Sequence, residues 1–145
     1  MTSEQKMKAE ITYKVSKKLD LDETIQLYRD STLGQRRPVD DRNCMAQMIK
    51  DADLIITAWH GDLLVGISRT LTDFCYVAYL ADLAVHQSYQ KKGIGVELMQ
   101  QTRAQLGPNC MIVLLAAPAA TAYYPRVGFS NHPQAWILHS GDKLG

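Results

Sequence analysis

Gln90-Lys91-Lys92-Gly93-Ile94-Gly95-Val96 sets two lysines and two glycines between an apolar stretch, Leu83-Ala84-Val85, and an amphipathic one. Glycines at such a join allow positive φ and let a ligand come close to the backbone. The first N–H groups of a helix starting there have no intrahelical acceptor, and the helix dipole favours negative charge in front of them. The chemistry is that of an anion cradle, most naturally for phosphate, with Lys91 and Lys92 adding positive charge. It is not a Walker loop, because G-x-x-x-x-G-K-[ST] is absent. Nor is it the dinucleotide fingerprint, which needs a third glycine and a place after the first strand.

Asp82 is the second residue with chemical interest. It is the sole charge in the apolar run Tyr76–His86. Burial raises a carboxyl pKa toward the range useful to a general base, so Asp82 is a candidate for that role. A structural aspartate accepting backbone hydrogen bonds is the alternative. His60 and His86 are weaker candidates, since a lone histidine at a strand end reads first as packing or surface.

These residues need elements to hold them. Ile11–Ser16 alternates like a half-buried strand. A helix capped by Asp22 carries Ile25, Leu27 and Tyr28 and ends near Ser31. The stretch STLGQRRPVDD reads as a loop, and Asp41 caps a second helix with Met45, Met48 and Ile49 on one face. Leu54–Trp59 and Leu63–Thr70 form a hairpin across His60-Gly61-Asp62. Tyr76–His86 is a central strand covered on both faces. A helix follows from about Gly93 to Leu106, with Ile94, Leu98, Met99 and Thr102 inward, stopped by Gly107-Pro108. Met111–Ala116 reads as a buried strand, Pro118 opens a helix, and Ala135–His139 is a final strand. The order predicts an α/β fold, a three-layer sandwich with a mixed sheet.

Composition bounds the functions open to such a fold. The chain has 145 residues, 46% apolar and 21% charged, enough for one domain with a core. A net charge of +1 gives no field to hold nucleic acid or an anionic membrane, so neither is expected as a partner. Three cysteines without C-x-x-C spacing and four histidines without i, i+4 pairing predict neither a disulfide framework nor a metal site. The longest apolar run, Met111–Ala117, is far below the ~20 residues of a membrane span. The polar N-terminus lacks a signal-peptide centre, so a cytoplasmic location is expected. The whole chain, 1–145, reads as a single domain, with residues 1–7 a flexible extension and Met7 an alternative start.

The motif resembles the hallmark of the GNAT superfamily, the acetyl-CoA-dependent N-acetyltransferases. Gln90-Lys91-Lys92-Gly93-Ile94-Gly95 matches their Q/R-x-x-G-x-G/A after a central strand. Tyr123-Tyr124-Pro125-Arg126-Val127-Gly128-Phe129 is similar to their FYxxxGF segment, with the small residue Ala120 ahead of it. Ala117 departs from the asparagine many relatives carry, and Pro125 is unusual in such a helix. The resemblance implies a sheet splayed between the Asp82 strand and the next. It implies that the pantetheine arm of acetyl-CoA pairs with backbone at Leu83, Ala84 and Val85, as an added strand. The diphosphate would rest on Gln90, Lys91, Lys92, Gly93, Ile94, Gly95 and Val96. The reaction implied is direct attack of a primary amine of a small molecule or peptide on the thioester. Tyr124 aligns with the family's general acid, and a phenol with pKa ~10 stays protonated to serve the leaving thiolate.

By the same resemblance, the loop between the first two helices roofs the acceptor. Tyr28, Arg36 and Arg37, with Asp40 and Asp41, become candidate substrate residues; paired arginines could hold a carboxylate, and paired aspartates a cationic amine. Trp59, Arg69 and Trp136 read as packing or hairpin surface. A homodimer through the C-terminal strand is compatible with the family. A non-catalytic acyl-CoA sensor is the alternative function.

Overall fold

The computed structural model describes every residue except Met1, Glu4, Met7, Lys8 and Ala9, so the alternative start at Met7 lies outside the described residues. Strands β1 (Ile11–Val15), β2 (Leu54–His60), β3 (Leu63–Thr72), β4 (Val77–Val85) and β5 (Met111–Val113) form one sheet in sequence order. The pairings are antiparallel up to β4, and β4–β5 is parallel. That parallel pair requires a crossover, supplied by the helix α3 (Ile94–Ala104).

Helix α1 (Leu21–Asp30) and helix α2 (Arg42–Lys50) pack on one face of the sheet, where Ile25, Leu27, Tyr28 and Met45 meet Ile55, Ile67 and Ala84. Helix α3 covers the other face, where Ile94 and Leu98 meet Ile56, Ala58 and Val65. Its buried residues are Ile94, Leu98, Met99 and Thr102, the four expected from periodicity. Gly66 makes this approach possible: a Cβ there would lie 3.0 Å from Leu98 Cδ1 and 3.2 Å from Ile94 Cγ2.

Several boundaries differ from the sequence reading. Asp20, not Asp22, caps α1, its carboxylate accepting the Glu23 N–H at 2.9 Å. Asp22 sits inside the first turn, where its charge still suits the dipole. The expected loop after α1 contains a 3₁₀ helix, Thr32–Arg36, pinned by buried Leu33. The β4 strand buries alternate residues rather than both faces, and Tyr79 is exposed. The β5 strand stops at Val113, and Met111 and Val113 are exposed.

The chain divides into two compact units, Met1–Leu115 and Ala116–Gly145. The second contains a 3₁₀ turn at Pro118–Ala120 and the short helix α4 (Tyr123–Arg126). The expected final strand, Ala135–His139, is not a strand: among the described residues it joins no ladder, and Trp136 is 90% exposed. A short apolar run shows that a segment can line a sheet, but pairing depends on an edge elsewhere in the fold.

Candidate functional site

One register slip in the sheet shapes the site. Thr70 faces Leu80, yet Arg69 faces Asp82, so Ala81 is an extra residue in β4. A bulge of this kind bends its strand and sharpens the local twist. The β4–β5 ladder covers only Val77–Tyr79 against Met111–Val113. Past the bulge, β4 therefore runs on without β5.

The exposed edge has a defined polarity. The His86 N–H donates to Val65 O on β3 at 2.8 Å. By the two-residue alternation of an antiparallel ladder, Ala84 and Asp82 also turn their backbone groups toward β3. Leu83 and Val85 then present theirs to the open edge. The Val85 carbonyl there accepts the Gln90 side-chain amide at 3.0 Å. A ligand strand would use Leu83 and the Val85 N–H, or displace Gln90 from that carbonyl. Leu83 and Val85 side chains pack on the α3 side, while Ala84 is buried on the α1 side.

The open edge leads into the glycine loop. Lys91 (φ 62°) and Gly93 (φ 83°) are both left-handed. Gly93 caps α3 with no side-chain acceptor, whereas Asp20 and Asp41 cap α1 and α2 with carboxylates. The N–H groups at the start of α3, from Ile94 through Val96, are thus left for an external anion. Gln90 and Lys91 are exposed, Lys92, Gly95 and Val96 are half-buried, and Ile94 anchors the turn in the core.

On the α1 face of β4 lies a charged cluster. Asp82 is 1% exposed. Its Oδ2 accepts the Tyr28 hydroxyl at 2.6 Å and Arg69 Nε at 2.5 Å. Its Oδ1 accepts Arg37 Nε at 2.6 Å. Arg37 also donates through Nη2 to Ala81 O at 2.9 Å, so the carbonyl freed by the bulge is not left bare. Burial by itself would raise the Asp82 carboxyl, as the sequence reading expected. The bond and charge of Arg69, helped by Tyr28 and Arg37, outweigh it and hold the carboxyl below its ordinary value. Burial, then the Asp82 charge, pushes the Tyr28 phenol well up, so it stays a donor.

Of the acceptor candidates, Tyr28 and Arg37 are brought together on Asp82, while Arg36 is exposed and contributes its carbonyl to Arg37 Nη1. Arg69, read from sequence as packing or surface, belongs to this cluster and is 9% exposed. The signal for it was present: a lone cation in one apolar strand and a lone anion in the next. His60 is engaged elsewhere, with Nδ1 2.6 Å from the Tyr89 hydroxyl and Nε2 3.0 Å from Glu10. His86 Nδ1 accepts the Ser88 N–H at 3.1 Å.

In the second unit, Tyr124 is half-buried. Its ring lies edge-on to Tyr123 and Phe129, with centroids 5.2 and 5.4 Å away. Its carbonyl accepts the N–H groups of Val127 and Phe129, closing the helix over Gly128. Burial raises the neighbouring Tyr123 phenol.

Among known proteins, the acetyltransferase (GNAT) domain model matches residues 31–137. The chain is 30% identical over 122 residues to an uncharacterized ycf52-like N-acetyltransferase of Prochlorococcus marinus, covering 80% of this chain and 66% of that one. The chain spans less than two thirds of the length of the curated relatives it matches. A GNAT-family acetyltransferase of Streptococcus pneumoniae superposes with a TM-score of 0.71 at 24% identity, over 88% of this chain and 98% of that one. An aminoglycoside N-acetyltransferase solved with CoA superposes with a TM-score of 0.66 at 15% identity, over 89% and 93%. Among the described residues no helix is long and apolar enough to cross a membrane.

Proposed function

The chain belongs to the GNAT acetyltransferase family, and from that premise we propose that it carries the acetyl group of acetyl-CoA to a primary amine of a small molecule or peptide. The observation that carries this reading is the continuity of the β4 edge that β5 leaves past Tyr79 with the start of α3, which has no side-chain cap. An extended pantetheine arm can add to such an edge as a strand, and the diphosphate then meets N–H groups and the positive end of a dipole. The structural neighbour holding CoA supports the choice of cofactor.

Transfer is direct in this reading, with both substrates bound together. The amine must shed a proton before it can attack, and the developing oxyanion needs an N–H donor on the open edge. Tyr124 serves as the general acid for the leaving thiolate. Asp82 was the sequence candidate for base, but a carboxylate engaged by three donors and held at low pKa has little proton affinity to offer. We assign it to holding Arg37, Arg69 and Tyr28, with water taking the amine proton.

The test combines calorimetric titration of acetyl-CoA with thiol release over an amine library. The reading expects binding and release with some primary amine. Binding without release on any acceptor supports the non-catalytic acyl-CoA module instead, and absence of binding ends both readings.

A further inference from the structure

The Asp82 cluster does not balance. Two guanidinium groups, Arg37 and Arg69, share one carboxylate, and among the described residues neither has a second acidic partner. Asp82 already serves both, its two oxygens accepting three donors, but it brings only one negative charge. Tyr28 adds no charge, since its phenol is held protonated. The cluster therefore carries a surplus of one positive charge. Arg69 is almost enclosed, and Arg37 keeps only 23% of its side-chain surface exposed. Partly enclosed charge without a counter-charge is costly, so the surplus favours an anion that completes the site.

We propose that the missing charge arrives with the acceptor: the amine acetylated by this protein also bears a carboxylate, which pairs with the guanidinium surface of Arg37 and Arg69. The proposal rests on the acetyl-transfer reading, which lays acetyl-CoA along β4. On that reading the diphosphate lies past Val85, at the Gln90–Val96 end, whereas Asp82 precedes Leu83. Each residue of strand adds about 3.3 Å, so Asp82 is roughly 10 Å short of Val85 and further still from the loop. The end of acetyl-CoA that approaches the cluster is its uncharged thioester, so the cofactor cannot supply the anion. A carboxylate fits better than a phosphate monoester: it brings a single negative charge against a surplus of one, and its two oxygens match a guanidinium fork. Arg37 is the exposed member. Its Nε, Nη2 and Nη1 are tied to Asp82, Ala81 O and Arg36 O, which fixes the plane of the guanidinium before a substrate arrives and leaves one further N–H on each Nη to donate.

The experiment is thiol release by the whole chain with matched acceptors: glycine, β-alanine, γ-aminobutyrate and ε-aminocaproate, each against its own carboxamide. The series varies the distance between amine and carboxylate, so the correct spacing need not be known. For at least one length, kcat/KM is expected to favour the acid by about tenfold or more, the effect of one charge-assisted pair. In Arg37→Gln that ratio should collapse toward one, with the fold checked by circular dichroism; should the variant fail to fold, the wild-type comparison still decides. Equal turnover of acid and amide at every length, or release only with amines lacking a carboxylate, overturns the proposal while acetyl transfer stands. So does a preference for an aminoalkyl phosphate over the matched acid. No release with any amine overturns the proposal together with the reading beneath it, and acetyl-CoA calorimetry tells that case from loss of cofactor binding.

Discussion

Replacing Asp82 by asparagine probes the cluster directly. The change is nearly isosteric but removes a charge that is 1% exposed. It turns one acceptor into an NH₂ group facing donors from Arg37, Arg69 or Tyr28. Arg69 is then a buried cation without an anion. Removing one partner of such a pair costs about 3–5 kcal/mol. At roughly 3 °C per kcal/mol for a chain of this size, Asp82→Asn should melt about 9–15 °C below wild type at pH 7. Adding Arg69→Met removes the stranded cation and should return at least about 1 kcal/mol, because the two sites are coupled.

The pH dependence carries a sign. The Asp82 carboxyl is lowered in the folded state. Its stabilisation is therefore complete above the unfolded carboxyl value of about 3.9 and is lost as pH falls through the lower folded value. The gap between wild type and Asp82→Asn should stay constant from about pH 5 to 8 and narrow only below about pH 4. Thermal melts followed by circular dichroism across that range measure both quantities. A melting point within about 3 °C of wild type at pH 7 would refute the reasoning, because the carboxylate would not be balancing buried arginines. A general base, in contrast, would show its loss in kcat, by about 10²–10⁴, with the acid limb of the rate profile abolished.

Other positions test other parts of the site. Gly66→Val puts methyl groups where a Cβ alone already lies 3.0–3.2 Å from Leu98, Ala58 and Ile94; overpacking should cost about 1–3 kcal/mol, read as a lower melting temperature. Gly93→Val places a β-branched residue at φ 83°, so acetyl-CoA affinity by calorimetry should fall about tenfold or more as the N–H cradle shifts, with about 1–2 kcal/mol of strain. Tyr124→Phe should lower kcat by about 10² while leaving the acetyl-CoA dissociation constant unchanged, and unchanged turnover would remove Tyr124 from the role of acid.

The parts of this fold that sequence made legible are those written in local rules. The inward face of α3 follows from spacing alone, and the left-handed joint at Gly93 follows from the residue type and its place between strand and helix. The Arg69–Asp82 pair was hidden by register. A hairpin that pairs Thr72 with Ala78 and Leu71 with Tyr79 would, if regular, set Arg69 opposite Ala81 and turn Asp82 to the other face. Nothing local to Leu80-Ala81-Asp82 announces the extra residue. Ala135–His139 failed in the opposite sense: its apolar run was read as a strand, but a strand also needs a partner, which no short segment encodes.

The bulge gives the last prediction, because one residue accounts for several features of the site. Ala81 turns Asp82 onto the face of Arg69, offers its carbonyl to Arg37, and bends β4 where the pairing with β5 ends. Deleting Ala81 separates these effects. Asp82 would still face Arg69, since Leu80 and Asp82 would become neighbours opposite Thr70 and Arg69 in a regular ladder. The charge pair therefore survives, and the stability cost should stay near the one or two hydrogen bonds lost at Arg37, about 1–3 kcal/mol. The bend would not survive: a straightened β4 lets Leu114 and Leu115 continue the parallel ladder past Val113, closing the edge that Leu83 and Val85 present. The deletion variant should thus fold, melt within about 10 °C of wild type, and lose acetyl-CoA affinity by a factor of about 100 or more, as a backbone-paired ligand would with its edge occupied. Calorimetry beside a thermal melt reads both numbers. A folded variant that still binds acetyl-CoA at wild-type strength would show that the bulge orders the charge cluster without opening the groove.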